Sequence, residues 1–256
     1  FKLRLIELIS LIMKEITIVA ASDLYIKETI NALKVSSKVL KPYKTILFTS
    51  HSYLKNKKNG WILFEKIKPL RSKSDYSKFL IFELYKYIKT SHVLIVQWDG
   101  FIINSNKWRK DFLLYDYIGA PFIPRIKSLS YSRDLSNDFY TIGNGGFSLR
   151  SKKLIEAPSK YNLFDNEQLT NSNEDGFFCV LHRKFLESKG FKWAPFNIAK
   201  EFSIESPLNI SELIDLPFGF HGRKLFYFIK IKKILRKFKF TIFFINKIRN
   251  FKFKKE

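Results

Sequence analysis

The sequence predicts an α/β fold with a mostly parallel central sheet, on three observations. Short apolar, β-branched runs alternate with stretches of helical spacing. One run, His92–Gln97 (HVLIVQ), is almost wholly apolar, as a central strand buried on both faces must be. The first run, Ile16–Ala21 (ITIVAA), leads through the polar Ser22-Asp23 turn into a helical stretch, the opening of a nucleotide-binding α/β unit.

The elements follow in order. Apolar spacing at Leu24, Ile30 and Leu33 predicts a helix over Leu24–Val35. Thr45–Thr49 reads as the second strand, Asn56–Gly60 as a turn and Trp61–Ile67 as a third strand. Phe79, Leu80, Leu84 and Tyr87 predict a helix over Tyr76–Ile88. After His92–Gln97 a helix is expected near Trp108–Tyr115. Gly119–Arg133, with two prolines and several serines, reads as a loop. Thr141–Arg150 (TIGNGGFSLR) is a glycine-rich turn running into a strand. A helix over Asp175–Ser188, a short strand at Phe191–Ala194 and the closing Phe218–Gly222 (FGFHG) complete the domain.

Composition narrows the class. The chain has 256 residues, 46% hydrophobic and 27% charged, which excludes a wholly disordered, collagen-like or coiled-coil protein. Its single cysteine, Cys179, excludes an intramolecular disulfide framework and a cysteine-based zinc site. A cytoplasmic chain is the expectation, peripheral on the inner face of a membrane if its tail binds there. The net charge is +23, and Arg223–Glu256 holds 13 basic residues against one acidic. In Tyr227–Phe238, apolar residues at 227, 228, 231, 234, 235 and 238 oppose Lys230, Lys233, Arg236 and Lys237. Such a basic amphipathic segment suits an anionic membrane surface. The expected division is a domain over 13–222 and a basic tail over 223–256. Residues 1–12 precede the only methionine, Met13, and read as a non-native or interfacial extension.

Four constellations can carry chemistry. Gln97-Trp98-Asp99-Gly100 follows the buried strand, where open α/β sheets bind ligands, and Asp99 is a carboxylate suited to a hard cation such as Mn2+ or Mg2+. Its plainer reading is an Asp-Gly turn. Gly143-Asn144-Gly145-Gly146 allows close approach of backbone to a ligand, or forms a hairpin. Asn173-Glu174-Asp175 opens a helix; the carboxylates can favour its N-terminus electrostatically, or one can serve as a general base. His221, flanked by aromatics and glycines, is a metal ligand or a packed core residue.

Taken together, the order of these parts resembles the GT-A class of nucleotide-sugar glycosyltransferases. More narrowly, Val93–Asn104 (VLIVQWDGFIIN), Tyr117–Phe122 (YIGAPF), Gly143–Ser151 (GNGGFSLRS), Glu174–Cys179 (EDGFFC) and Phe218–Gly222 resemble the blocks of a GT-A-like bacterial and viral family of unassigned biochemistry. The resemblance implies a GT-A, Rossmann-like single domain that moves a sugar from a nucleotide diphosphate sugar to an acceptor hydroxyl on a glycan or lipid-linked acceptor. It implies a divalent metal, Mn2+ or Mg2+, at Asp99 and His221. It assigns the base to Asp175, with Glu174 beside it. Donor and acceptor contacts fall to Ala21, Ser22, Asp23, Trp98, Asn144, Gly145 and Gly146, with Ser74–Lys78 nearby. The sequence departs from a two-aspartate metal motif, since residue 97 is Gln and residue 101 is Phe.

Three rival classes stand beside this reading. A polyanion- or nucleic-acid-binding module would use the basic charge, but that charge concentrates at one end and no standard nucleic-acid motif is visible. A metal-dependent nucleotidyltransferase would want more than one carboxylate on the metal. A degenerate GT-A-like fold would bind glycans without catalysis.

Overall fold

The computed structural model describes residues 15–52, 60–121, 142–164, 166, 173–205 and 211–231. The expected extension at 1–12, the turn at 56–59, most of the loop at 119–133 and the tail beyond residue 231 lie outside the described residues. The chain divides into two compact units, Phe1–His221 and Gly222–Glu256. In the second, residues 223–231 are helical.

The first unit is built on a six-stranded sheet. Its strands are β1 (Ile16–Ala21), β2 (Lys44–Thr49), β3 (Leu63–Lys66), β4 (His92–Ile95), β6 (Tyr117–Ile118) and β7 (Ser148–Ser151), ordered β3-β2-β1-β4-β7-β6. The pairs β2–β3, β1–β2 and β1–β4 are parallel, whereas β7 runs antiparallel to both neighbours. The sheet is therefore mostly parallel, as the alternating runs predict. Three short strands make a second sheet: β5 (Gly100–Ile102), β8 (Ser203–Ile204) and β9 (Gly219–His221), in the order β5-β9-β8.

Period-two alternation explains the buried strands. In β1, Ile16, Ile18 and Ala20 join one core cluster while Val19 and Ala21 join the other. In β4, Leu94 faces the first cluster while Val93 and Ile95 face the second. Both faces are covered, so the strands must be apolar throughout. Each such Val, Leu or Ile side chain contributes about 1.5–3 kcal/mol on burial.

The helices carry the differences from expectation. Helix α1 (Ile26–Leu40) begins two residues later than its spacing predicts and runs five further. Tyr25 before it sits at φ 50° and provides no side-chain cap. Helix α2 (Lys73–Lys78) begins three residues early because Ser72 and Asp75 form a capping box. It runs on through a π-helical turn at Phe79–Glu83 and a 3-10 turn at Leu84–Tyr87. The helix expected near Trp108–Tyr115 is instead a 3-10 turn at Lys110–Leu114, with Trp108 and Phe112 packed on Phe218.

Helix α3 (Lys152–Lys160) follows β7 and starts on a Ser151 cap. The stretch expected as one helix over Asp175–Ser188 divides into α4 (Glu174–Gly176), a π-helical turn at Phe177–Leu181 and α5 (Arg183–Ser188). Phe191–Ala194 forms no strand and contributes one bridge, Tyr117 to Trp193. Helices α6 (Phe196–Phe202) and α7 (Ser211–Ile214) flank β8.

Candidate active site

The small sheet assembles the first part of the site. Antiparallel pairing of β5 with β9 sets Gly100 opposite His221, so Asp99 arrives beside the imidazole. Parallel pairing of β8 with β9 sets Ile204 opposite Phe220, which brings Glu205 to the other side of His221. The His221 Nε2 atom lies 3.8 Å from Asp99 Oδ1, and Nδ1 lies 3.1 Å from Glu205 Oε1. Nε2 is also 3.1 Å from Gln97 Oε1. With acceptors facing both ring nitrogens, the cationic form is favoured. Burial pushes the His221 pKa down, but Glu205, Asp99 and Asp175 together more than offset it, and the net shift is upward.

The glycine loop fits against this group. A β-carbon on Gly146 would lie 2.1 Å from His221 Nε2, and one on Gly100 would lie 2.8 Å from His221 Cδ2. Gly145 N–H donates to Asp175 Oδ2 at 3.2 Å. The loop therefore joins His221 to the carboxylate pair. Gly176 N–H donates to Asp175 Oδ1 at 2.9 Å. Burial raises the Asp175 pKa, the negative charges of Glu174 and Glu205 raise it further, and it is pushed up to about 7.

Glu174 has a different partner. Its Oε1 accepts from Arg150 Nη2 at 3.0 Å, with Arg150 fully buried. The guanidinium lies over the rings of Tyr117 and Phe178, and its Nε donates to Ser148. Glu174 is thus ion-paired, while Asp175 carries the raised pKa.

A cavity of about 190 Å3 opens beyond the carboxyl ends of β1 and β4, lined by Ala21, Ser22, Tyr25, Tyr76, Gln97 and Trp98 among others. Trp98 stacks on Tyr25 with centroids 4.5 Å apart. Gln97 Nε2 donates to the Tyr76 hydroxyl at 2.8 Å, while its Oε1 faces His221, so one side chain links the cavity to the histidine.

Two of the expected contact residues have partners within the chain. The Asp23 carboxylate accepts from Thr49 Oγ1 and the backbone N–H groups of Ser50 and Leu70, at 2.7–2.8 Å. Burial would raise its pKa, but those bonds hold it below the ordinary value. Asp23 ties three loops together and is not among the cavity's lining residues. Asn144, at φ 57°, turns its amide to the carbonyls of Ala120 and Pro121.

Glu205 and Arg150 escape a reading of the sequence. No spacing ties Glu205 to His221; only the β8–β9 register does. Arg150 stands in a strand, where a basic residue ordinarily reads as solvent-facing.

The donor set suits a divalent ion in part. Asp99 offers a carboxylate oxygen, His221 offers Nε2, and Glu205 would orient the ring through Nδ1, as carboxylates commonly do for ligating histidines. Among the described residues no group of three or more His, Cys, Asp or Glu is arranged to hold a metal. Mg2+ and Mn2+ commonly take one or two protein ligands and complete their shells with substrate phosphates and water, so the pair fits that kind of ion.

No curated protein matches the chain. Solved structures similar to it include a glycosyltransferase involved in glycosylation of the major capsid of PBCV-1, at 14% identity and TM-score 0.44, covering 80% of this chain and 92% of that one. The galactosyltransferase LgtC, in complex with donor and acceptor sugar analogues, matches at 15% identity and TM-score 0.44, covering 80% and 86%. The mannosyltransferase PcManGT from Pyrobaculum calidifontis, in complex with GDP-Man and Mn2+, matches at 10% identity and TM-score 0.45, covering 72% of this chain and 55% of that one. At these scores the likenesses carry no argument about this chain, whose fold is read from its own strand order. A family model matches residues 61–221, more than half of the sequence, and the chain belongs to that family, described as "Protein of unknown function (DUF5672)".

Proposed function

We propose that the protein is a GT-A-type glycosyltransferase that moves a sugar from a nucleotide diphosphate sugar to an acceptor hydroxyl, in glycan synthesis. One observation carries the reading. A chain of contacts runs from the cavity through Gln97 to His221 and Asp99, and from His221 through the Gly145-Gly146 loop to Asp175. The carboxyl ends of parallel strands are where such sheets bind nucleotides. Trp98 and Tyr25 offer aromatic surface for a base or sugar.

In this reading Asp175 is the general base. A carboxylate with a pKa near 7 accepts a proton efficiently at neutral pH. The acceptor oxygen forms a bond to the anomeric carbon as its proton passes to Asp175. The bond from that carbon to the diphosphate oxygen breaks, and its electron pair leaves with the nucleoside diphosphate. One base on the acceptor side gives a single displacement with inversion. With no metal bound, cationic His221 would favour the diphosphate's developing negative charge; as a metal ligand its imidazole is neutral. A Mn2+ or Mg2+ ion held by Asp99 and His221 would supply Lewis-acid stabilisation of that charge.

Thermal unfolding with a panel of nucleotide sugars, with and without Mn2+, tests the reading. A ligand at about 100 Kd adds about 2.7 kcal/mol, roughly 5–10 °C in Tm for a domain of this size. A metal-dependent shift with one nucleotide family, lost in Asp99→Ala, is expected. No shift with any donor sinks it. Asp175→Asn should lower kcat about 10²–10⁴-fold with donor affinity retained. A product with retained anomeric configuration would overturn the single displacement.

The single carboxylate at 97–101 favours one second reading, a degenerate fold that binds a nucleotide sugar or glycan without turnover. Donor binding with no sugar released or transferred would select it. We further propose that the basic tail holds the enzyme on an anionic membrane surface. No helix among the described residues is long and apolar enough to cross a membrane. Sedimentation with anionic vesicles, compared with a 1–222 truncation, tests the tail.

A further inference from the structure

A second, larger cavity of about 860 Å3 lies between the segment after β3 and the outer face of α2. Its volume is in the range of sites that take a small organic ligand. Phe79, Phe82 and Tyr87 form one wall, and Ile67, Pro69 and Leu70 form the other. Tyr87 remains 38% exposed even though its ring packs on Phe48 and Phe79, so the wall is open to an occupant.

The polar groups around it indicate what could bind. Four backbone donors of the loop are engaged. Ile67 N–H donates to the Thr49 carbonyl and Leu70 N–H to Asp23. Arg71 and Ser72 N–H both donate to Asp75. Pro69 has no N–H to give. Those donors are not available to read the edge of a nucleobase or the hydroxyls of a sugar. The acidic side chains are engaged as well: Asp75 closes the α2 capping box, and Glu83 is paired with Lys86 at 2.6 Å. Lys66 and Lys68 line the cavity and have no ion-pair partner among the described residues. The cavity therefore combines an apolar, aromatic interior with a positive edge.

We propose that this cavity binds the chain of a phosphate-headed lipid, with the apolar tail against Phe79, Phe82 and Tyr87 and the phosphate at Lys66 and Lys68. The inference does not rest on the glycosyltransferase reading, because Lys66, Lys68, Phe79, Phe82 and Tyr87 lie outside the residues assigned to the candidate active site.

Titration calorimetry of the full chain with decyl phosphate, below its micelle concentration, tests the proposal. One equivalent is expected to bind. Decanol, which lacks the head, and inorganic phosphate, which lacks the tail, should each bind at least tenfold more weakly. The variant Lys66→Glu/Lys68→Glu changes exposed side chains only, and it should weaken decyl phosphate at least tenfold with Tm unchanged. Phe82→Asp should do the same from the apolar side; if it fails to fold, the lysine variant still decides. Binding of decanol equal to that of decyl phosphate, or unaltered binding in the lysine variant, would overturn the proposal. No binding of decyl phosphate would overturn it too, and would leave the donor-site experiments untouched.

Discussion

A β-carbon on Gly145 would stand 1.9 Å from Glu174 Oε1 and 2.8 Å from Arg150 Nη2. The loop can lie against the buried ion pair only because residue 145 has no side chain. Gly145→Ala should therefore cost about 1–3 kcal/mol, the usual range for overpacking a filled interior. Gly60 is the reference, since a β-carbon there meets nothing within 4 Å among the described residues. Gly60→Ala should stay within about 0.5 kcal/mol of wild type. Urea unfolding of the two variants reads the difference, and equal midpoints would show that the pair shifts aside freely.

The ion pair is the next target. Arg150 is fully buried, 3.0 Å from Glu174, between the rings of Tyr117 and Phe178. Arg150→Met leaves a buried carboxylate without its cation and should cost about 3–5 kcal/mol. Glu174→Gln keeps an acceptor oxygen and should cost less, about 1–3 kcal/mol. The double variant should cost less than the sum, because the two groups share one interaction. Strict additivity in denaturant unfolding would mean that the pair contributes nothing as a pair.

Much of the main sheet is legible in the sequence, because burial on both faces demands unbroken apolar runs such as Ile16–Ala21 and His92–Ile95. The site is legible only in pieces. Asp99, Gly145, Gly146, Asp175 and His221 each stand out as residue types, and the structure does bring them together. What the sequence hides is pairing. The three-stranded sheet has strands of two or three residues, too short for any periodicity, yet its register places Glu205 and Asp99 on either side of His221. Asp23 and Asn144 have side chains of the kind that meets a ligand, and the structure shows them also bonding neighbouring loops, which no sequence spacing reveals. The helix Lys152–Lys160 is obscured by Pro158, and the break at Phe177–Leu181 by apolar residues that suit an uninterrupted helix equally well.

Glu205 should set the protonation of His221. Burial alone pushes the imidazole pKa down, and Glu205 is the first of the groups that raise it. Glu205→Gln keeps the volume and removes the charge, so the His221 pKa should fall. An NMR titration of the imidazole resonances measures it directly. An unchanged value would mean that Asp99 and Asp175, which also raise it, suffice. A raised pKa in the folded state stabilises the protein at low pH, and this contribution is lost as pH rises through the folded value. Glu205→Gln should therefore weaken the fold most on the acidic side of that titration.

Asp175 gives the strongest dependence on pH. Its pKa rises from an ordinary 3.8 to about 7. Between those values the native protein holds a proton that the unfolded chain has released. Stability must then fall as pH rises across that window, since the slope follows the difference in bound protons between unfolded and native states. Asp175→Asn cannot ionise and should flatten that part of the profile, which urea unfolding at a series of pH values reads as a difference from wild type. Parallel profiles would place the Asp175 pKa near its ordinary value and remove the physical case for a base working near neutral pH. The same titration should appear in catalysis with the opposite benefit. The base form exists above about pH 7, so the rate should climb on an acidic limb with an apparent pKa near that value. Glu174→Gln removes the larger of the two neighbouring negative charges that raise Asp175, and should move the limb to lower pH. A limb that stays in place would assign the raised pKa to burial and Glu205.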